Sequence, residues 1–418
     1  MGKNTWIFHH YATPPSLGGM SRAYEFGKRL IDAGQECTVF SSAYLHYTLE
    51  NLIDNKASFV EYRENDVPFI FVRSSKYEGN GFTRLKNMFS FTFNLKKIAK
   101  NLRKKGNIPD IIYASSPHPL TVILGIILAK KWGIPVITEY RDLWPEAIFK
   151  YSSLREKGLI GRFLIAGEHW MYKNSDAIIF LKEGDTDYLK DKKWTREEGG
   201  DIDLNKCYYI NNGVDIKMFE KQIKDNHFKD EDLESDKFNV VYTGAIRPVN
   251  NIGNILDTAH LLKDLDDIQF LIYGEGSELP YLKERIKNEG LDNVKLKGYV
   301  DKRNIPNVLH KSSVNLLNYS QDKYNWSRGS SSNKLFEYMA SAKPVISTVK
   351  IGYNPLEKYN CGITLENDTP EDLAEAIKHI YNLDEEDYRE MGENARLGAR
   401  DYDYDIQAKK LLDLVESL

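Results

Sequence analysis

Along most of this chain, short apolar runs closed by glycine, proline or a polar cluster alternate with segments whose apolar positions recur every three to four residues. The runs at 6–9, 37–40, 67–73, 110–114, 136–139, 177–180 and 207–210 predict strands. Between them, Ala23, Phe26, Leu30 and Ile31 keep helical spacing up to Gly34, and 119–132 predicts a buried helix. Strand, helix, strand in repetition is the rhythm of an open parallel α/β sheet. Residues 215–237 turn polar and charged and are expected to be a linker. The rhythm then restarts with strands at 240–243, 269–273, 294–298, 314–318 and 345–347, a second doubly wound sheet. Helices at 370–381 and 387–418 follow. The expected division is a first domain over 1–214, the linker 215–237, a second domain over 238–395, and a final helix over 396–418 that crosses back to the first.

The stretch 327–347, SRGSSSNKLFEYMASAKPVIS, carries the most chemistry. Small residues through Ser331 and Ser332 let backbone approach a ligand and lead into a helix whose buried stripe is Leu335, Phe336 and Met339. Asn333 and Glu337 lie on another face. Loop amides and the positive end of the helix dipole favour a phosphate, and Glu337, a turn deeper, suits a pair of adjacent hydroxyls such as those of a ribose. A solvated helical glutamate is the bland alternative. In parallel sheets ligands gather at the carboxyl ends of strands. In the second half those ends carry Gly244 to Arg247, Gly274 and Gly276, and Gly298 with Tyr299 and Val300, whose backbone suits a base edge. Arg247 and Lys334 are the candidate cations for a diphosphate, with surface ion pairs as the alternative. In the first half the same argument selects Glu139, Arg141 and Asp142. Gly18 and Gly19 follow the first strand as either a phosphate-approaching turn or a flexible loop. Gly274-Glu275-Gly276 begins like a dinucleotide fingerprint, but Leu279 stands at the third glycine, so that signal fails.

Composition narrows the field. With 418 residues the chain exceeds one ordinary core, and a net charge of −4 argues against a general nucleic-acid binder. Cys37, Cys207 and Cys361 have no pairing or metal-ligand spacing, as expected in a reducing compartment, and no metal site is expected. The N-terminal apolar run, Trp6 to Phe8, is too short for a signal-peptide core, and no later run reaches the length of a membrane span, so a cytoplasmic protein is expected.

The segments EYRDLWPEA (139–147), NNGVD (211–215), YTGAIR, YGEG, KGYV and NKLFEYMASAKPVIS together resemble glycosyltransferase family 4. These are retaining enzymes of GT-B fold, and the likeness is strongest to those that build bacterial surface polysaccharides such as O-antigen and capsule. The resemblance implies two Rossmann-like domains facing across a cleft, the second holding a nucleotide-diphosphate sugar, UDP-linked in expectation. The first would hold a glycan or polyprenyl-diphosphate-linked acceptor, and neither cofactor nor divalent metal is implied. It places Glu337 on the ribose and Arg141-Asp142 beside the donor sugar, with Glu139 in the same motif. The chain departs from the family at Gly329, where the first acid of a paired-glutamate motif is expected, and at Ala245 and Asn250, where the diphosphate cations usually stand. A sugar-nucleotide epimerase or a non-catalytic sugar-nucleotide-binding partner is the alternative on the same architecture.

Between Gly79 and Pro109 there is no acidic residue, while Arg84, Lys86, Lys96, Lys97, Lys100, Arg103, Lys104 and Lys105 are interleaved with Phe82, Leu85, Phe89, Phe91 and Phe93. An anionic membrane surface is the expected partner of this basic helix, seated on the cytosolic face, with a core helix that has a solvated basic face as the alternative.

Overall fold

The computed structural model describes residues 2–79, 81–146, 149 and 155–418. Ala147, the last residue of the 139–147 motif, lies outside them. Among the described residues the chain divides into two compact units. The first comprises Met1–Leu181, Asp185–Ile210 and Ala408–Leu418, and the second Lys182–Gly184 and Asn211–Gln407.

The first unit is built on β1 (Asn4–Phe8), β2 (Glu36–Ser42), β3 (Phe59–Glu64), β4 (Val67–Val72), β5 (Ile111–Ser116), β6 (Val136–Tyr140), β7 (Ala177–Phe180) and β8 (Cys207–Tyr209). Their order is β3-β4-β2-β1-β5-β6-β7-β8, parallel throughout except for β3, which pairs antiparallel with β4. Strands of parallel sheets are covered on both faces and therefore read as continuous apolar runs. β5 through β7 are buried at every position. The helix Pro119–Trp132 lies between β5 and β6 in the chain, with a Gly133 C-cap in the left-handed region. Trp6, Phe8, Phe40, Phe91, Leu95, Ile112 and Val136 belong to one core cluster.

The second unit orders β9 (Phe238–Thr243), β10 (Ile268–Tyr273), β11 (Val294–Gly298), β12 (Val314–Leu317), β13 (Val345–Ser347) and β14 (Gly362–Thr364) as β11-β10-β9-β12-β13-β14, all parallel. The stretch expected to be a linker is instead part of this unit. Asp215 accepts the N–H of Met218 as an N-cap, and the helix Ile216–Asp225 that follows buries Phe219. The expected last helix, 387–418, is two helices, Glu385–Asp401 and Tyr404–Ser417, broken at Tyr402 and Asp403, where Val214 bonds back to the chain.

The helix Phe82–Lys104 packs against β4 and the helix Pro119–Trp132, burying Asn87, Phe91, Leu95, Ile98 and Ala99. Its outer face leaves Phe82, Leu85, Phe89 and Phe93 exposed at helical spacing. Among the described residues no helix is long and apolar enough to cross a membrane.

Candidate functional site

In a doubly wound sheet the strand order reverses once, and loops leaving the two flanking strands diverge there to open a crevice at the carboxyl ends. In the second sheet the reversal lies between β9 and β12. The side chain of Lys334 spans it. From the first turn of the helix Asn333–Ala340, its Nζ reaches to 3.0 Å from Tyr242 Oη, in β9. It lies 4.6 Å from the centre of the Tyr242 ring and 5.1 Å from that of Tyr319, just past β12. Two aromatic faces thus hold the ammonium group. Gly244 leaves it room, since a Cβ there would meet Lys334 Nζ and Cε. Burial first, and Arg247 second, bring the Lys334 pKa down to about 7, against the opposing pull of Glu337.

The loop before that helix is pinned from outside. Asn211 Nδ2 donates to Ser330 O at 2.9 Å and Asn212 Nδ2 to Ser331 O at 2.7 Å. Ser332, the N-cap residue, pairs its hydroxyl with Tyr319 Oη at 3.1 Å and makes no side-chain cap; Leu335 N–H donates to Ser332 O at 3.1 Å, which leaves the Asn333 and Lys334 amides as the open first-turn donors among the described residues. Glu337, one turn deeper, is half-buried and makes no side-chain hydrogen bond or ion pair among the described residues. Burial raises its pKa, with Lys302 and Lys334 acting the other way. Arg247 is exposed and adds its charge to the field at Lys334. The structure therefore brings Ser331, Ser332, Lys334 and Glu337 together around one helix terminus, with Gly244 against Lys334. Asn333 is exposed on the first turn and Tyr299 is 70% exposed beyond β11.

Gly274 and Gly276, the strand-end glycines past β10, lie against neighbouring backbone. Gly244 N–H donates to Tyr273 O at 2.9 Å, Gly274 N–H to Gly298 O at 2.7 Å, and Ile246 N–H to Glu275 O at 2.8 Å. A Cβ on Gly274 would strike Gly244 O and one on Gly276 would strike Ile246 O. These two glycines let the loops beyond β9, β10 and β11 lie edge to edge. Gly329 has φ 108°, where a side chain is strained, although the nearest atoms would leave a Cβ ordinary van der Waals room. A side chain at 329 would thus be opposed by backbone conformation rather than by lack of space.

In the first sheet the reversal lies between β1 and β5. Glu139, at the end of β6, is fully buried. It accepts Arg22 Nε at 2.7 Å, Tyr113 Oη at 2.5 Å and Ser115 Oγ at 2.6 Å, with Arg141 Nη1 4.0 Å away. Burial alone would raise its pKa, but Arg22, then Arg141 and the two hydroxyls, outweigh it and hold the carboxylate down at about 2. This corrects the expectation of a catalytic Glu139: the carboxylate is committed to the fold and organises Arg22, which also donates to Ile210 O at 2.7 Å. Asp142 is exposed and forms no side-chain hydrogen bond among the described residues. Gly18 and Gly19 both have positive φ, 67° and 89°, in a turn closed by Gly18 N–H to Pro15 O and by Thr13, whose hydroxyl donates to Gly18 O.

Close by, His9 and His10, which follow the first strand as either cleft-facing or merely structural histidines, meet His118 just past β5, a contact that no spacing shows. His10 Nδ1 lies 2.5 Å from His118 Nε2, and the His10 ring stacks between Tyr11 and Phe91. His9, His10 and His118 are all buried, and burial holds each pKa down, to about 3 for His9 and His118. Tyr242 and Tyr319 were likewise invisible as a cage, because neither follows any spacing relative to Lys334. Asn211 and Asn212 carried a signal, as polar residues closing a strand.

Two family descriptions match in succession: "Glycosyltransferase Family 4" over residues 17–217 and "Glycosyl transferases group 1" over residues 223–398. A curated relative, "Putative teichuronic acid biosynthesis glycosyltransferase TuaH" of Bacillus subtilis (strain 168), is 24% identical over 340 residues, 75% of this chain and 80% of its own length. HepE of Anabaena, solved in complex with UDP, superposes over 100% of both chains with a TM-score of 0.70 at 14% identity. Sucrose-phosphate synthase from Thermosynechococcus elongatus gives a TM-score of 0.71 at 16% identity, over 99% of this chain and 98% of that one. WaaG, a glycosyltransferase involved in lipopolysaccharide biosynthesis, gives 0.63 at 14% identity, over 98% and 99% of the two chains.

Proposed function

We propose, from its two halves matching glycosyltransferase family 4 and glycosyl transferases group 1 in turn, that the chain is a glycosyltransferase of GT-B fold that transfers a sugar, with retention, from a UDP-linked donor to a glycan or polyprenyl-diphosphate-linked acceptor in surface-polysaccharide assembly. The observation that carries the donor half is Lys334 lying across the strand reversal of the second unit, beside uncapped helix amides and the unpaired carboxylate of Glu337. The two kinds of group match the two ends of a nucleoside diphosphate. Its phosphates take the cation and the amides, and its ribose hydroxyls donate to Glu337.

The chemistry follows from where charge develops. As the glycosidic bond lengthens, the departing β-phosphate gathers negative charge. Lys334, Arg247 and the helix amides meet it from fixed positions, without reorganising. The acceptor hydroxyl attacks from the face the diphosphate is leaving and gives its proton to that phosphate, so the anomeric configuration is kept. Asp142 orients a hydroxyl of the donor sugar or acceptor from the first unit. Protein groups supply the positive charge, so this reading includes neither a divalent metal nor a cofactor. The basic, Phe-studded outer face of the helix Phe82–Lys104 holds the protein on an anionic membrane surface, where a lipid-linked acceptor is met.

The donor assignment is tested by thermal shift with a panel of nucleotide sugars, comparing wild type with Glu337→Gln. A ligand at 100 times its dissociation constant adds about 2.7 kcal/mol of stability. UDP-sugars should stabilise the wild type, and Glu337→Gln should retain the fold while weakening UDP binding by about 1.5–3 kcal/mol, the contribution of a hydrogen bond to a charged group. Equal UDP affinity in the two proteins would refute the ribose assignment.

A further inference from the structure

Across β1, β5 and β6 the register aligns Phe8, Ala114 and Thr138 in one row. His9, Ser115 and Glu139 come next along the three chains, and Arg141 lies two residues past Glu139. Ser115 and Glu139 satisfy each other at 2.6 Å. His9 does not find such a partner. Its Nδ1 accepts the Tyr11 N–H at 3.2 Å, so the lone pair sits on that nitrogen. The ring is 1% exposed, and burial together with the Arg141 guanidinium keeps it neutral at working pH. The single proton of a neutral ring with a Nδ1 lone pair is on Nε2. Nε2 has no hydrogen-bond acceptor among the described residues, nor has Arg141 Nη1, which is also buried and whose one printed ion pair, to Glu139 Oε1, is 4.0 Å long.

Two buried donors without acceptors, one following β1 and the other following β6, are open to a ligand oxygen. Their chemistry narrows what they receive. Both can only donate, and one is cationic. A hydroxyl ligand would also need an acceptor, and the carboxylate at hand, Glu139, is already taken by Arg22, Tyr113 and Ser115. An oxygen that only accepts and carries charge fits both.

We infer that His9 Nε2–H and Arg141 Nη1–H together receive a phosphoryl oxygen of the acceptor's diphosphate, making His9 a specificity-determining residue of the first unit. This rests on the reading that the chain is a glycosyltransferase with a lipid-diphosphate-linked acceptor. It adds the residues that would recognise that diphosphate.

The test uses the full chain and farnesyl diphosphate as a soluble probe, titrated calorimetrically in the presence of saturating UDP. His9→Asn keeps an acceptor for the Tyr11 N–H and removes the Nε2 donor, whereas His9→Gln places an N–H near Nε2. Wild type should bind the probe, His9→Asn should bind it at least about tenfold more weakly, as for a lost charge-assisted hydrogen bond, and His9→Gln should recover to within about threefold. UDP affinity, measured alone, should be the same in all three. Unchanged probe binding in His9→Asn would overturn the inference, as would equal losses in both variants, which mark a structural histidine. A parallel loss of UDP affinity would overturn it by assigning the pair to the donor phosphate. Failure of wild type to bind UDP would instead overturn the donor reading and leave the probe comparison standing.

Discussion

Lys334→Met separates what the lysine does for binding from what it does to the fold. An ordinary lysine keeps its proton to pH 10.5, and this one only to about 7. At about 1.4 kcal/mol per pH unit, full burial would set an upper bound near 5 kcal/mol for the cost at pH 7. Since the side chain is partly exposed, about 2–3 kcal/mol is the working figure. Between pH 7 and 10.5 the unfolded state binds more protons, so wild-type stability rises with pH through that window. Methionine removes the ionisable group, fills much the same volume and should therefore stabilise the ligand-free protein most at pH 7 and below, with the margin closing toward pH 10.5. For a domain of this size each kcal/mol moves the melting temperature by about 2–4 °C, which gives a rise of roughly 5–10 °C at pH 7. Donor binding should move the opposite way. Losing a hydrogen bond to a charged group weakens UDP at pH 7 by about 1.5–3 kcal/mol, on the order of ten- to a hundredfold. Wild-type affinity should also fall as pH rises above 7, because the lysine must take up a proton to meet the diphosphate, while the variant stays flat. Scanning calorimetry and UDP titrations from pH 6.5 to 9 measure both. A variant that melts lower than wild type at pH 7, or that binds UDP equally well, would refute the reasoning.

Glu139→Gln should destabilise the first unit by about 3–5 kcal/mol, because it leaves the buried Arg22 guanidinium uncompensated, whereas Asp142→Asn should lower turnover more than tenfold with melting nearly unchanged; thermal melts and initial rates on the two variants decide this. Gly274→Ala should force apart the loops beyond β9 and β10 and weaken UDP binding without touching any charged group, as titration would show; unchanged affinity would mean that those loops are free to move. Vesicle flotation should recover the protein with anionic but not neutral lipid and release it at high salt, and Phe82→Ser with Phe89→Ser should reduce recovery; equal recovery on both lipids would remove the charge argument.

The two doubly wound sheets were legible because buried parallel strands leave apolar runs, and twelve of their strands were anticipated to within a few residues at each end. The two that were not show what the pattern lacks. β3, FVEYRE, is a half-exposed antiparallel edge strand, joined to β4 through Asn65 and Asp66 at positive φ. β14 is three residues long, too short for any period. The helix Ile216–Asp225 was hidden because its solvated face supplies most of its residues, leaving charge to dominate the local composition. At the site, the loop, helix and Glu337 were visible as a run of small residues before an apolar stripe. What the spacing could not carry was the third dimension. Tyr242 reaches Lys334 from β9 and Tyr319 from just past β12, and Glu139 is withdrawn from solvent by Arg22 and Tyr113, far away in sequence.

The central claim, transfer of a sugar from a UDP-linked donor, is tested most directly by following UDP release from a panel of UDP-sugars incubated with the protein and a bacterial lipid extract. The account predicts release with a particular donor that depends on the extract, deposits the sugar in the lipid fraction, persists in excess EDTA, and is lost in Glu337→Gln. Release abolished by EDTA and restored by magnesium would contradict the assignment of diphosphate charge to Lys334, Arg247 and the helix amides. No release from any UDP-sugar, by a protein that binds UDP, would contradict the claim itself.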